Sequence, residues 1–381
     1  MLLLCCSFLI QEEILSFYFL SGIMMKAAKN RRNVKMRAVI YEGNGRIRLG
    51  ERPVPVIQDE RDAIIQVTLT TICSSDIHIR HGAVPRAVPG VILGHEFVGR
   101  VVETGKAVRK VRPGDRVAVN VETFCGECFY CRRGFVNNCS DEHGGWALGC
   151  RIDGGQAEYA RIPFADNGLT RIPDHVPDEK ALFTGDLLST GYWAARIGEI
   201  LPGDTVAVIG AGPTGLCTMM CARLYGPGRI IAIDTDEYRL NVAREQGLAD
   251  VTLIPGQDDI GAYIRNATSG RGADVVFEVA GGADTFQLAW QTARPNAVVV
   301  VVAMYEQDQI LPLPSMYGKN LTFKTGGVDG CYCQEIMDLI SAGKLDAGFM
   351  ITHRCGLDEI MDAYNIFESK KEHVIKYAVK P

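Results

Sequence analysis

Along residues 36–184 the apolar positions come in short runs that Gly and Pro keep interrupting. Residues 63–71, 97–102, 116–121 and 157–162 read as β-strands, with turn chemistry such as Pro113-Gly114-Asp115 between them. Long helical periodicity is scarce there, so a mainly β domain with substantial loops is expected. The rhythm changes near Leu187. A helix-length segment, 187–200, ends at Leu201-Pro202-Gly203-Asp204, and strand and helix then alternate. Strands are expected at 205–209, 229–233, 273–279 and 297–303, and helices at 214–225 and 237–246. The run 297–303 is wholly apolar, as a strand buried on both faces of a parallel sheet requires. Mixed character returns after Leu321-Thr322-Phe323, with helices near 334–342 and 358–367 and a strand at 374–379. No repeat or low-complexity linker separates these parts. The α/β unit, 189–324, is therefore expected as an insertion, with 325–381 rejoining 36–188.

Composition narrows the class. At roughly 150 residues per domain, 381 residues allow about two domains. Lys+Arg at 40 against Asp+Glu at 45 leaves a net charge of -5, which argues against a nucleic-acid partner, since such a binder needs a basic face. At the amino terminus, residues 1–10 and 14–25 are apolar runs split by Gln11-Glu12-Glu13. Neither reaches the roughly 18 residues of a membrane span. The charges Lys26, Lys29, Arg31 and Arg32 follow the apolar stretch, the reverse of a secretory signal. Residues 1–35 are read as extraneous upstream sequence or a flexible appended segment, and a cytoplasmic protein with no membrane partner is expected. Of 13 cysteines, four fall within fifteen residues, which points to metal ligation in a reducing compartment rather than a disulfide framework.

Residues 206–209 run straight into Gly210-Ala211-Gly212-Pro213-Thr214-Gly215. G-x-G-x-x-G alone is weak, but here a strand precedes it, a helix follows, and the next strand ends in Asp234. Gly210 permits the tight turn, Gly212 clears space for a pyrophosphate, and Gly215 lets helix approach strand. The backbone at Pro213 and Thr214 opens the helix whose positive end would face the phosphates. Asp234 suits the adenosine ribose hydroxyls and would repel a 2′-phosphate, so NAD is expected over NADP; Asp236 is the nearby acidic rival. Further along, Cys125-Gly126-Glu127-Cys128-Phe129-Tyr130-Cys131 is followed, after seven residues, by Cys139. Four thiolates bind Zn²⁺ tetrahedrally at about 2.3 Å and leave no position for substrate, so this site is expected to be structural. Iron–sulfur ligation is the alternative.

Three segments remain: Cys73-Ser74-Ser75-Asp76-Ile77-His78, Gly94-His95-Glu96-x-x-Gly99 with Gly105 and Val108, and Thr184-Gly185-Asp186. Taken with the cysteine lobe and the nucleotide loop, in that order, they resemble the zinc-containing medium-chain alcohol dehydrogenase family, over Met36 to Pro381. The resemblance implies a GroES-like, mainly β catalytic domain and a Rossmann cofactor domain. It implies two Zn²⁺ per chain: Cys125, Cys128, Cys131 and Cys139 around the structural ion, and Cys73, His95 and Asp186 around the catalytic one. Glu96 would lie beside the catalytic metal, Asp76 would orient His95, and Ser75 and His78 would relay the alcohol proton. Arg239 would contact the adenosine ribose. An Asp at position 186 resembles bacterial secondary-alcohol dehydrogenases and zinc-dependent aldehyde dismutases. NADP-type secondary-alcohol dehydrogenases commonly lack the four cysteines and an acid like Asp234, and this chain has both.

The expected activity is hydride transfer between a secondary alcohol or polyol and NAD, giving the ketone, or the reverse. A catalytic zinc with three protein ligands keeps a position for the substrate oxygen and makes the alcohol more acidic. The alternatives are an aldehyde dismutase or aldehyde dehydrogenase with tightly held NAD, and a non-catalytic NAD-binding scaffold. A homo-oligomer, tetramer or dimer, is expected from the resemblance, and the partner is a small-molecule alcohol or ketone.

Overall fold

The computed structural model describes residues 34–381. The segment read as extraneous, 1–35, lies outside the described residues except for its last two, and Lys35 already opens a strand. That strand, Lys35–Gly43, pairs antiparallel with Arg46–Pro53 around Asn44, whose φ of 51° marks the hairpin turn. Neither strand is singled out by its pattern.

Two sheets carry the fold. The parallel one has six strands in the spatial order Val251–Leu253, Arg229–Ile233, Thr205–Ile209, Ala273–Glu278, Ala293–Val301 and Thr322–Thr325. Counted along the chain this is the order 3-2-1-4-5-6 of the Rossmann fold, whose ligand crevice opens where the order reverses. Here that is between Thr205–Ile209 and Ala273–Glu278. Helices Pro213–Arg223 and Glu237–Glu245 follow the first two strands, as the pattern predicts. Helices Ile260–Ala267 and Thr285–Thr292 are additional.

The second sheet is mainly antiparallel, in the order Ile351–Gly356, Lys376–Lys380, Ala63–Thr70, Phe97–Thr104, Arg116–Val119 and Leu169–Arg171. Tyr159–Ile162 also pairs with Ala63–Thr70. The carboxy-terminal strand enters this sheet through Val379 opposite Thr70. With its loops this is the GroES-like domain, so the chain is a two-domain α/β protein. Helix Leu187–Ile197 ties the halves together. Leu188, Trp193 and Ala194 on it share one apolar cluster with Val39 and Ile79 on one side and Cys217 and Phe277 on the other. Among the described residues no helix is long and apolar enough to cross a membrane.

Candidate active site

The site begins with a short helix. Ser74–Arg80 starts at Cys73, and Asp76, in its first turn, accepts the Cys73 N–H at 2.9 Å. The same carboxylate oxygen accepts Gln156 Nε2 at 3.0 Å, and Tyr364 donates its hydroxyl to Gln156 Oε1 at 2.7 Å. Held by these bonds, Asp76 turns its other oxygen to His95 Nδ1, 3.5 Å away. One buried carboxylate thus starts the helix that carries Cys73 and faces the ring of His95 with its second oxygen.

His95 precedes strand Phe97–Thr104, and Asp186 precedes helix Leu187–Ile197. Asp186 makes no side-chain bond to its own helix. Its Oδ2 instead lies 3.4 Å from His95 Nε2 and 3.8 Å from Cys73 Sγ. Glu96 completes the group: one ligand atom from each of Cys73, His95, Glu96 and Asp186 lies within 4.8 Å of every other. Burial lowers the proton affinity of His95, but the charges of Asp76 and Cys73 outweigh it and hold the pKa well above the usual value. Burial pushes the Asp186 carboxyl up, yet the His95 hydrogen bond and charge hold it below the ordinary range. Burial raises Glu96 to about 7 in spite of Lys376. Lys376, on the carboxy-terminal strand, donates to Glu96 Oε2 and, at 3.0 Å, to the Ile72 carbonyl. Glu96 Oε1 has no hydrogen-bond partner among the described residues. Sulfur, imidazole nitrogen and carboxylate oxygen converging in a dry pocket are the donors zinc takes, so these residues fit a catalytic zinc.

Ser75 Oγ lies 3.7 Å from Cys73 Sγ, at the edge of this group. His78 stands one turn further along the same helix face, its Nδ1 3.2 Å from Glu306 Oε1 on the cofactor domain. Trp146 sets its indole edge-on to His95, with ring centroids 5.6 Å apart.

The four lobe cysteines form a second group. Cys125 Sγ lies 4.0 Å from Cys131 Sγ and 3.7 Å from Cys139 Sγ, and all four sulfurs fall within 4.8 Å of one another. A tetrahedron with Zn–S of about 2.3 Å has edges of about 3.8 Å, so the spacing fits. The Cys131 amide holds the Cys128 thiol down to about 5, while burial pushes Cys131 and Cys139 up. Four sulfurs this close ionise together only around a cation.

The nucleotide loop lies at the crevice of the parallel sheet. Gly210 adopts φ 107°, and a side chain at Gly215 would strike the Gly210 carbonyl. At Gly212 a Cβ would meet only the Arg239 guanidinium, at 3.4 Å, so the approach to the backbone is open beside a cation. Helix Pro213–Arg223 starts there without a side-chain cap, leaving the amides around Thr214 for an anion. Of the two acids, Asp236 is spent on its own helix, accepting Tyr238 N at 2.9 Å and Arg239 N at 3.4 Å. Asp234 accepts Ala211 N at 2.6 Å, which fixes its carboxylate against the loop. These residues fit a dinucleotide.

Lys376, Gln156, Tyr364 and Trp146 are not singled out by sequence. No spacing or motif links them to Cys73 or His95, and only folding makes them neighbours.

Comparison with known proteins agrees with this geometry. Residues 59–174 match the family model "Alcohol dehydrogenase GroES-like domain", and 213–342 match "Zinc-binding dehydrogenase". An alcohol dehydrogenase of Cupriavidus necator is 35% identical over 366 residues, covering 91% of this chain and 99% of the relative. The NADP-dependent isopropanol dehydrogenase of Thermoanaerobacter brockii is 31% identical over 339 residues, covering 86% and 94%. The solved alcohol dehydrogenase TADH of Thermus sp. ATN1 superposes with a TM-score of 0.83 at 36% identity, covering 91% of this chain and 99% of that one. The chain belongs to the zinc-containing medium-chain alcohol dehydrogenase family. It is a zinc-type oxidoreductase acting on small alcohols or ketones with a nucleotide cofactor.

Proposed function

We propose that the protein is an NAD-dependent dehydrogenase holding two zinc ions per chain, which oxidises a secondary alcohol or polyol to the ketone and runs the reverse reaction. The observation that carries this is the convergence of Cys73, His95, Asp186 and Glu96 in a chain whose nucleotide loop is also open to a ligand. Zinc at the first three would supply the positive charge that makes the substrate hydroxyl acidic. The chain does the rest. Asp76 keeps His95 Nε2 turned inward, Ser75 receives the hydroxyl proton, and His78 passes it towards solvent. Lys376 keeps Glu96 at the edge of the group, and Asp234 and Arg239 hold the adenosine ribose.

NAD rather than NADP is supported by Asp234, a carboxylate held against the loop whose charge would oppose a 2′-phosphate, although the Thermoanaerobacter relative is named for NADP. A homo-oligomer, dimer or tetramer, is supported by Ile310, Leu311, Leu313 and Tyr317, a run of exposed apolar side chains just before the edge strand Thr322–Thr325. A cytoplasmic setting is supported by the four lobe cysteines, which are arranged for metal rather than for disulfides.

A panel of secondary alcohols and ketones assayed with NAD and NADP, with zinc measured on the same samples, tests the proposal. Oxidation with NAD and two zinc ions per chain is expected. No turnover of any alcohol or ketone would overturn it. Aldehyde turnover without added NAD would favour a dismutase.

A further inference from the structure

Beyond the metal group, one buried carboxyl has no task. Glu122 is 1% exposed, and its Oε2 has no hydrogen-bond partner among the described residues. Its place is fixed by backbone. Val121 N–H donates to the Gly185 carbonyl at 3.1 Å, and a side chain at Gly185 would strike the Val119 carbonyl, so this strand lies directly against the turn that carries Asp186. Glu122 also pairs with Trp146, the residue set edge-on to His95. Asn120 Nδ2 donates to the Gly330 carbonyl, closing the far side.

Two further buried polar atoms around the same turn, Trp146 Nε1 and Thr184 Oγ1, have no partner among the described residues. Above them the exposed Arg86 lays its guanidinium 5.0 Å over the Trp146 ring. A buried polar atom without a partner is costly, so a site that only enclosed an aliphatic chain would gain by replacing all three with apolar groups. Burial and the neighbouring Asp329 push the Glu122 carboxyl well above the carboxylate range, which suits a group that both donates and accepts.

We propose that Glu122, under Arg86 and beside Trp146, is a specificity-determining residue that hydrogen-bonds a second hydroxyl of the substrate, so that the alcohol oxidised is a vicinal diol or longer polyol. This rests on the dehydrogenase activity proposed above. One carbinol loses its C–H as hydride to NAD and its O–H as a proton. The adjacent hydroxyl is unchanged and sits on Glu122. The product is a hydroxyketone.

Three alcohols with the same reacting carbinol separate the outcomes: isopropanol, propylene glycol and isopropanolamine. In the unmodified enzyme kcat/KM for propylene glycol should exceed that for isopropanol by about ten- to a hundredfold, the range of one satisfied buried hydrogen bond. Propylene glycol, and not isopropanol, should raise the thermal midpoint of the protein. Glu122→Met should remove the diol advantage mainly through KM, bringing the diol-to-isopropanol ratio of kcat/KM towards one, while Glu122→Gln, which keeps a donor and an acceptor, should retain most of it. Equal kcat/KM for diol and mono-ol in the unmodified enzyme would overturn the proposal whether or not the variants fold, and leave the dehydrogenase assignment intact. Preference for isopropanolamine over the diol would also overturn it, by assigning Glu122 to a cation. Oxidation of none of these, or of any other secondary alcohol, would remove the dehydrogenase assignment and this one with it.

Discussion

Lys376 and Glu96 form an ion pair that is 1% exposed on both sides, across 280 residues of sequence. The lysine comes from the last strand of the chain, and the glutamate from the residue after His95. The carboxy-terminal return is therefore part of the metal site and not only the closing strand of a sheet.

Breaking that pair should be costly. Lys376→Met leaves Glu96 buried beside Asp186 without its ion-pair partner, and loss of one partner of a buried pair typically costs about 3–5 kcal/mol. A clear fall in the thermal midpoint is expected, with most of it restored in the Lys376→Met/Glu96→Gln double variant. Thermal unfolding of the three proteins checks this. A single variant as stable as the parent would show that the pair contributes little.

Metal removal should occur in two stages. Three protein ligands at Cys73, His95 and Asp186 would leave a zinc one exchangeable position, whereas four thiolates would enclose an ion in the lobe. Mild chelation should take one zinc and the activity while the fold persists. Cys128→Ser should lower thermal stability, because metal binding and folding are coupled in such lobes. Elemental analysis finding iron, or a single zinc, in the untreated protein would contradict the assignment.

Asp186→Ala should abolish catalytic zinc binding while leaving the lobe zinc and NAD binding in place. Activity should fall by at least about a hundredfold, the scale of losing several kcal/mol of charge stabilisation. Zinc content together with a nucleotide-binding titration checks it. Full occupancy of both sites in this variant would move the third ligand to Glu96.

Cofactor choice should depend on Asp234 through charge and not shape. The carboxylate also accepts the Ala211 amide, so Asp234→Gly would disturb the loop as well as its selectivity. Asp234→Asn keeps an acceptor for Ala211 and removes the charge. A preference for NAD over NADP that narrows by about a hundredfold is expected, since close like-charge repulsion in a low-dielectric site amounts to several kcal/mol. Steady-state kinetics with both cofactors on both proteins checks this. An unchanged ratio would place the 2′-hydroxyl elsewhere.

What the sequence determined by itself was local. Cys125, Cys128, Cys131 and Cys139 fall within one loop, and Gly210 to Gly215 join one strand to one helix, so short-range spacing already dictates their chemistry. The alternation of apolar runs with helices after Leu187 likewise determined a parallel sheet, because burial on both faces leaves a continuous apolar signature. The helix Ser74–Arg80 was less visible. Seven residues are too few for a period, and its start depends on Asp76 reaching back to an uncommon cap, Cys73. Only the backbone shows that Asp236 caps its own helix while Asp234 accepts the Ala211 and Asp236 amides. Lys376 on Glu96, Tyr364 through Gln156 to Asp76, and Glu122 beside the Asp186 turn were decided wholly by the fold. They are common residue types in unremarkable local patterns, and what makes each matter is burial beside a partner that sheet pairing brings from a distant part of the chain.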